Sequence, residues 1–594
     1  MKKPLAILLL SVLLSPGRAA EVPILPFHEV RPGMRGTGRT VFEGTSIETF
    51  DVEILGTLPR VGPEQNLILA RCTGGPLERT GVLAGMSGSP VFVDGKLVGA
   101  IAYNWGFSKD AFAGITPIEE MLAVARRVER GARRTRAGAG IEPQDVALLR
   151  SPASIVTFFS HDLPRRVASP ASALPFTLPI SVAGLGPEGL GQVLPDLARA
   201  GFLPVQGGSA GSQPAPSPPL EPGSAVGAKL VRGDIEMTAT GTVTWVDGDR
   251  VLAFGHPLFG LGTVDLPLTG ARVEALIPSL ERSVRLATPL AEVGSIVEDR
   301  NAGILGRLGA PTRMIPVRLE MSVEGKDKKS FSFDLADDPL LAPLLLYSSL
   351  NGILASAGRV YGNITLRLRE GSVIKMDGHE DVLLNNLFAG STAPYFATGT
   401  SAFLLYLLMN NDLTPPRIGG VNLILEYRDE PLTARVRRVS LDRYRARPGD
   451  DLEATVILSP FRGDDIVLTR RIHLPAETPP GPLLVSFGDA AAVARADDGD
   501  APLLPRELSQ LISLINRVPR NDRVYILASR DDAGVFLGGR RMPNLPPSVH
   551  AVLARPRSRG NFAVIPHRNI LEEQIPVDYA VEGFARVQLE VEAP

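Results

Sequence analysis

One cysteine in 594 residues excludes any disulfide within the chain, so stability has to come from burial and hydrogen bonding. Cys72 lies in the apolar run LILARCTG and reads as core rather than as a reactive thiol. Neither sign of charge prevails: 62 Lys and Arg face 64 Asp and Glu, and a formal charge of −2 leaves no footprint for nucleic acid. The one basic cluster, RRVERGARRTR from Arg126 to Arg136, reads as the solvated end of a helix. Long apolar runs are missing after the first twenty residues. The best remaining stretch, TSAFLLYLLM (Thr400–Met409), is about half of a bilayer span, so no transmembrane anchor is expected once the leader is removed. H-E-x-x-H, Cys-x-x-Cys and a Walker-type phosphate loop are all absent, and no cofactor or metal is expected. Asp377-Gly378-His379-Glu380-Asp381 has ligand residue types but reads as a polar turn. GLGPEGLGQ carries Gly-x-Gly-x-x-Gly spacing at Gly184, Gly186 and Gly189. It runs on into a linker instead of completing a βαβ unit with an acidic residue, and reads as a plain turn.

What the chain does have is punctuation: 60 Gly and 52 Pro separate many short alternating runs, the pattern of a mainly β protein. With 44% hydrophobic residues it can fill several cores. MKKPLAILLLSVLLSPGRAA, two lysines before an apolar run and small residues, reads as a secretory signal peptide cut after Ala19 or Ala20, which places the mature chain in the periplasm or outside the cell. Thr116-Pro117-Ile118-Glu119 is a capping box opening an amphipathic helix, and further helices are expected over Pro339–Ala355 and Pro505–Val518. The expected organisation is a signal peptide (1–19), a serine-bearing barrel half (20–140) and a small α/β segment (141–206). A Gly/Pro/Ser linker (207–222) leads to a histidine-bearing barrel half (223–316) and a β-rich unit with a helix (317–422). An immunoglobulin-like sandwich (423–490) and a C-terminal α/β segment (491–594) complete it.

Gly85-Met86-Ser87-Gly88-Ser89-Pro90 sits between predicted strands, ahead of a hairpin, VFVDGKLVGAIAY, with an Asp-Gly turn. A serine held on a glycine turn is how a chymotrypsin-like protease presents its nucleophile. In that arrangement the Gly85 and Ser87 amides converge as an oxyanion hole. Serine needs a base, and histidine is the usual one near neutral pH. Of seven histidines, His28, His161, His379, His473, His550 and His567 have no usable neighbours; His256 follows the run VTWVDGDRVLAF and stands in Gly-His-Pro at a strand end.

GMSGSPV, its hairpin and AGITPIEEML resemble the SpoIVB family of serine peptidases. So do the upstream strands Arg31–Leu58, the histidine segment Val243–Gly260 and the stretch Gly294–Gly306. The resemblance implies a mainly β, chymotrypsin-like double barrel assembled from two separated blocks, followed by the sandwich and accompanied by a few helices. It also implies an exported serine endopeptidase acting on a polypeptide substrate. The blocks stand in swapped order, serine before histidine; geometry rather than chain order defines such a site. No PDZ segment is evident. Thr73-Gly74-Gly75-Pro76 offers no carboxylate where the family places its acid, so the orienting acid is sought on the histidine's own barrel. Asp299, 43 positions after His256, is preferred over Asp265; Asp247 and Asp249 read as hairpin-turn residues. The expected triad is Ser87, His256 and Asp299. A catalytically silent protease-fold scaffold or binding protein of the envelope is the alternative, with a protein partner expected at the C-terminal sandwich.

Overall fold

The computed structural model describes residues 22–593 apart from 130–139, 141–144, 146–147, 150–151, 168–177, 209–213, 325–326, 358–361, 497–504, 506, 531–533, 538–539, 544–547, 550–561 and 566–567. The signal peptide, most of the basic cluster, the centre of the linker, His550 and His567 therefore lie outside the described residues.

Six strands close the first barrel: β1 (Arg35–Val41), β2 (Ile47–Gly62), β3 (Gln65–Thr73), β4 (Pro90–Val93), β5 (Lys96–Asn104) and β6 (Phe112–Pro117), in the order β1-β2-β3-β6-β5-β4. Closure runs through β1 and β4, where Thr37 pairs with Phe92 and Gly38 with Val91. Asp94 and Gly95 both take positive φ between β4 and β5 (50° and 75°), the hairpin geometry that the Asp-Gly pair favours. Phe50, Val52, Ile54, Ile68, Ala70, Cys72 and Ile115 fill the interior. Burial pushes the Cys72 thiol up to about 12, so it stays protonated and apolar.

After helix α1 (Ile118–Glu129), strand β7 (Leu178–Ala183), helix α2 (Pro187–Arg199) and strand β8 (Phe202–Gln206) form a small unit in which β7 and β8 pair in parallel. The glycine motif is thus not a plain turn: it follows a strand and opens a helix inside a βαβ connection. The glycines serve helix packing. A Cβ on Gly189 would lie 2.2 Å from Ser356 Oγ, the Gly186 N–H donates to that same hydroxyl at 3.1 Å, and β8 ends in Gln206 without an acid.

The second barrel is built from β9 (Ala225–Gly233), β10 (Glu236–Asp247), β11 (Arg250–Ala253), β12 (Gly262–Ile277), β13 (Val284–Arg300) and β14 (Gly303–Leu308). Their pairings run β9-β12-β13-β14-β11-β10, and β10 pairs back to β9, closing a ring of six. This is the double barrel that the sequence implies. The ring is not isolated, because the end of β9 pairs with a later strand, β16 (Lys329–Ala336), next to β15 (Met314–Val323). One sheet therefore continues from the barrel into the following unit. Two apolar helices, α3 (Leu341–Ala357) and α4 (Ala393–Met409), pack into that sheet's core, and none of the described helices is long and apolar enough to cross a membrane.

The sandwich begins at Thr433, later than expected, and reaches the C-terminal strands. Its two sheets hold residues 433–441, 451–460, 466–473 and 580–582 in one layer, with 445–446, 481–488, 523–530, 568–576 and 584–591 in the other. Leu452, Val456, Leu483, Phe487, Ile526 and Leu589 form the core between them. Strands near the C-terminus complete it, which no local pattern announces.

Candidate active site

The turn that carries Ser87 joins a short helical turn (Leu77–Thr80) to β4, and the second barrel holds it in place. Ala84 N–H donates to Ser283 C=O (2.9 Å), Arg285 N–H to Ala84 C=O (3.0 Å) and Thr242 N–H to Ser87 C=O (2.7 Å). Thr242 and Thr244 hydroxyls donate to the carbonyls of Gly85 (3.1 Å) and Gly88 (2.8 Å). Gly88 is required here: φ is +97°, and a Cβ would stand 1.9 Å from Thr242 O and 2.5 Å from Phe254 N.

The two serines of the turn are both fully buried but differ in use. Ser89 Oγ–H donates to Met86 C=O at 2.6 Å, whereas Ser87 Oγ has no hydrogen-bond partner among the described residues. Met86 N–H donates to Leu83 C=O (3.0 Å) and Gly88 N–H to Ile101 C=O (2.7 Å). The intervening Gly85 and Ser87 N–H groups donate to no backbone carbonyl of the described residues. A buried hydroxyl and two amides without a backbone acceptor among the described residues, on one glycine turn, are an arrangement suited to a nucleophile and its oxyanion.

His256 follows β11 after an abrupt bend in which Phe254 and Gly255 both take φ of +69°. For a bulky residue such as Phe254 that is strain, held by its N–H to Thr242 C=O (3.2 Å). Thr116 Oγ1–H donates to Gly255 C=O at 2.7 Å, tying the bend to the first barrel. Thr242 spans the two halves: its N–H meets Ser87 C=O while its C=O accepts from Phe254, so the serine and histidine segments share one strand residue. The His256 side chain is 1% exposed, and its Nδ1 lies 2.8 Å from Pro257 C=O. Donation from Nδ1–H to that carbonyl leaves the lone pair on Nε2. Burial pushes its pKa down to about 4, against a smaller opposite push from the Pro257 carbonyl.

Asp299 does not take the expected place. Its carboxylate, fully buried, accepts main-chain N–H bonds from Leu258 (2.7 Å), Phe259 (2.8 Å), Gly260 (2.8 Å) and Leu261 (3.3 Å), and none from the imidazole. The physical reason is local: the loop that follows His256 turns four donors inward, and a buried carboxylate binds the densest set of donors near it. Burial raises its pKa to about 6, opposed by those four donors. Asp265 is no substitute; it accepts from Ser295 Oγ at 2.9 Å and from Arg313 N–H at 3.3 Å. Asp247 and Asp249 stand beside the Gly248 turn and pair with Arg250 and Arg307. Asp377–Asp381 is a turn, with Asp381 accepting from Met376 N–H at 3.2 Å.

Sequence reasoning missed Thr242, Thr244 and Arg285. The threonines had a readable signal, since Thr238, Thr240, Thr242 and Thr244 alternate along β10 and all four are buried. Arg285, in an otherwise ordinary strand, had none.

Among known proteins, residues 14–122 match the family model of SpoIVB peptidase S55. That span includes the first barrel and Ser87, and stops before the second barrel and His256. No curated protein and no solved structure matches the chain.

Proposed function

Residues 14–122 belong to the SpoIVB peptidase S55 family, and from that premise we propose that the chain is an exported serine endopeptidase working through an acyl-enzyme. Ser87 Oγ attacks the scissile carbonyl carbon and its proton passes to Nε2 of His256. The negative charge that develops on the carbonyl oxygen is met by the Gly85 and Ser87 N–H groups. The intermediate collapses as the leaving amine takes the proton from Nε2. Water, deprotonated by the same histidine, then releases the acyl group. Pro257 C=O fixes the ring tautomer in this scheme, and Asp299 acts one step back by holding the Leu258–Leu261 turn that follows the histidine. The apolar leader is the basis for export.

The observation that carries the reading is the contrast within one turn: Ser89 is tied down and Ser87 is not. Both Ser87 and His256 are closed off from solvent, so a polypeptide has to displace part of the surround to reach them. That closure also favours the second reading, a silent scaffold. A fluorophosphonate probe separates the two. Labelling of the wild type that survives Ser89→Ala and disappears in Ser87→Ala and His256→Ala supports the peptidase. Absence of labelling in folded wild type supports the scaffold.

A further inference from the structure

Arg285 is fully buried beside the Gly85–Pro90 turn, and each of its side-chain hydrogen-bond partners among the described residues is neutral. Its Nη1 donates to Val41 C=O (3.0 Å) and Thr40 Oγ1 (3.2 Å). Its Nη2 donates to Gly241 C=O (2.8 Å), to Thr242 Oγ1 (3.1 Å) and, closely, to Gly85 C=O. Among the described residues Nε has no partner and no carboxylate pairs with the guanidinium. Burial lowers its pKa to about 9, which still leaves the cation charged at neutral pH. Removing a lone charge from water is unfavourable, and an apolar strand residue here would avoid that penalty.

The same residue grips the turn twice. Its main-chain N–H holds Ala84 C=O (3.0 Å), and its side chain holds Gly85 C=O. In a trans peptide the carbonyl and the N–H point in opposite directions. Fixing the Ala84 carbonyl towards β13 therefore aims the Gly85 N–H away from it, and fixing the Gly85 carbonyl locks the next peptide plane as well. The contact is close on both sides: a Cβ on Gly85 would lie 3.3 Å from Cβ and 3.3 Å from Nε of Arg285.

We propose that Arg285 is a positioning residue for the oxyanion hole, orienting the Gly85 N–H through two successive peptides while its unneutralised charge favours the anion that forms there. This rests on the serine peptidase reading. Reaction with a fluorophosphonate provides the test, because it passes through an anionic intermediate at the same amides. The second-order labelling rate and the labelled fraction at completion are measured separately, with folding followed by circular dichroism.

Arg285→Met should label about 10²-fold more slowly, the range seen when one oxyanion donor is lost or misplaced by about 1 Å. Arg285→Lys, which keeps the charge but not the fork, should recover about tenfold of that loss. A purely structural role would lower the labelled fraction and leave the rate of the surviving molecules unchanged. That result overturns the proposal, as does a Lys variant that fails to fold. Failure of the peptidase reading is distinguishable, since it appears as absent Ser87 labelling in the wild-type chain itself.

Discussion

Asp299→Asn replaces a carboxylate that serves four main-chain donors with an amide that has one acceptor oxygen. If that oxygen takes the position now bonded to Phe259, Gly260 and Leu261, the amide NH₂ is turned onto the Leu258 N–H, and two donors face each other. One buried N–H left unsatisfied costs about 1–3 kcal/mol, and the three remaining bonds fall from charge-assisted to neutral strength, roughly 1 kcal/mol each at most. The local loss is on the order of 3–5 kcal/mol. A chain with several cores does not unfold as one unit, so the assay has to be local. Hydrogen exchange of a peptide spanning residues 256–262 reports opening of this turn directly. Protection there should fall by about 10²–10⁴-fold, the equivalent of that energy, while the sandwich strands are unaffected. Ser87 labelling should slow because the segment that follows His256 loosens. Unchanged protection would refute the assignment of Asp299 to the turn. Unchanged protection together with a rate loss near 10⁴-fold would restore Asp299 as the group acting directly on the histidine.

Gly88→Ala should abolish labelling and detach the turn from β10, because the new methyl would meet the Thr242 carbonyl at 1.9 Å; a normally reactive, normally stable variant would contradict the packing described. With His256 held down near 4, the labelling rate should stay flat from pH 8 to about pH 5 and fall only as the pH approaches 4, and an acid limb near 6.5 would show an exposed imidazole instead. Stability should carry two opposing slopes between pH 4 and 6. His256 contributes stability that is complete above 6.5 and lost as the pH falls towards 4. Asp299, raised to about 6, contributes stability that is present below 3.8 and lost as the pH rises to 6. Urea midpoints of the wild type, followed locally through exchange of residues 256–262, should therefore vary little across that window. Asp299→Asn should uncover the histidine slope, with midpoints that drop on acidification.

Much of this protein is local in origin and therefore legible along the chain. Alternating runs cut by glycine and proline specify strands; Asp94-Gly95 specifies its hairpin; the apolar sets of α3 and of Leu508–Asn516 are contiguous. The amphipathic helix α1 is present from Ile118, but the expected capping box is not: Thr116 and Pro117 belong to β6, and the Thr116 hydroxyl donates to Gly255 C=O. Gly85–Pro90 is legible for the same reason, since a turn that needs glycine at fixed offsets leaves a short-range trace. The sandwich starts later and extends further than local alternation indicates, because its layers draw on strands more than a hundred residues apart, such as Leu452 against Leu589. The setting of the Gly184–Gly189 motif is not legible locally, because a parallel pair, β7 with β8, is a contact across a helix and not a pattern within a strand.

Which groups meet which is the part the tertiary structure decided. Local sequence determines that Ser87 stands on a turn and that His256 ends a strand, because backbone preferences act over a few residues. It does not determine that Thr242 ties the two segments together, that the Asp299 carboxylate closes on four amides rather than on an imidazole, or that Arg285 reaches Gly85. Those partners are chosen by burial. Once a charged or polar group is removed from water, it binds whatever donors or acceptors the closed barrels bring within about 3 Å, however far away they lie in the chain.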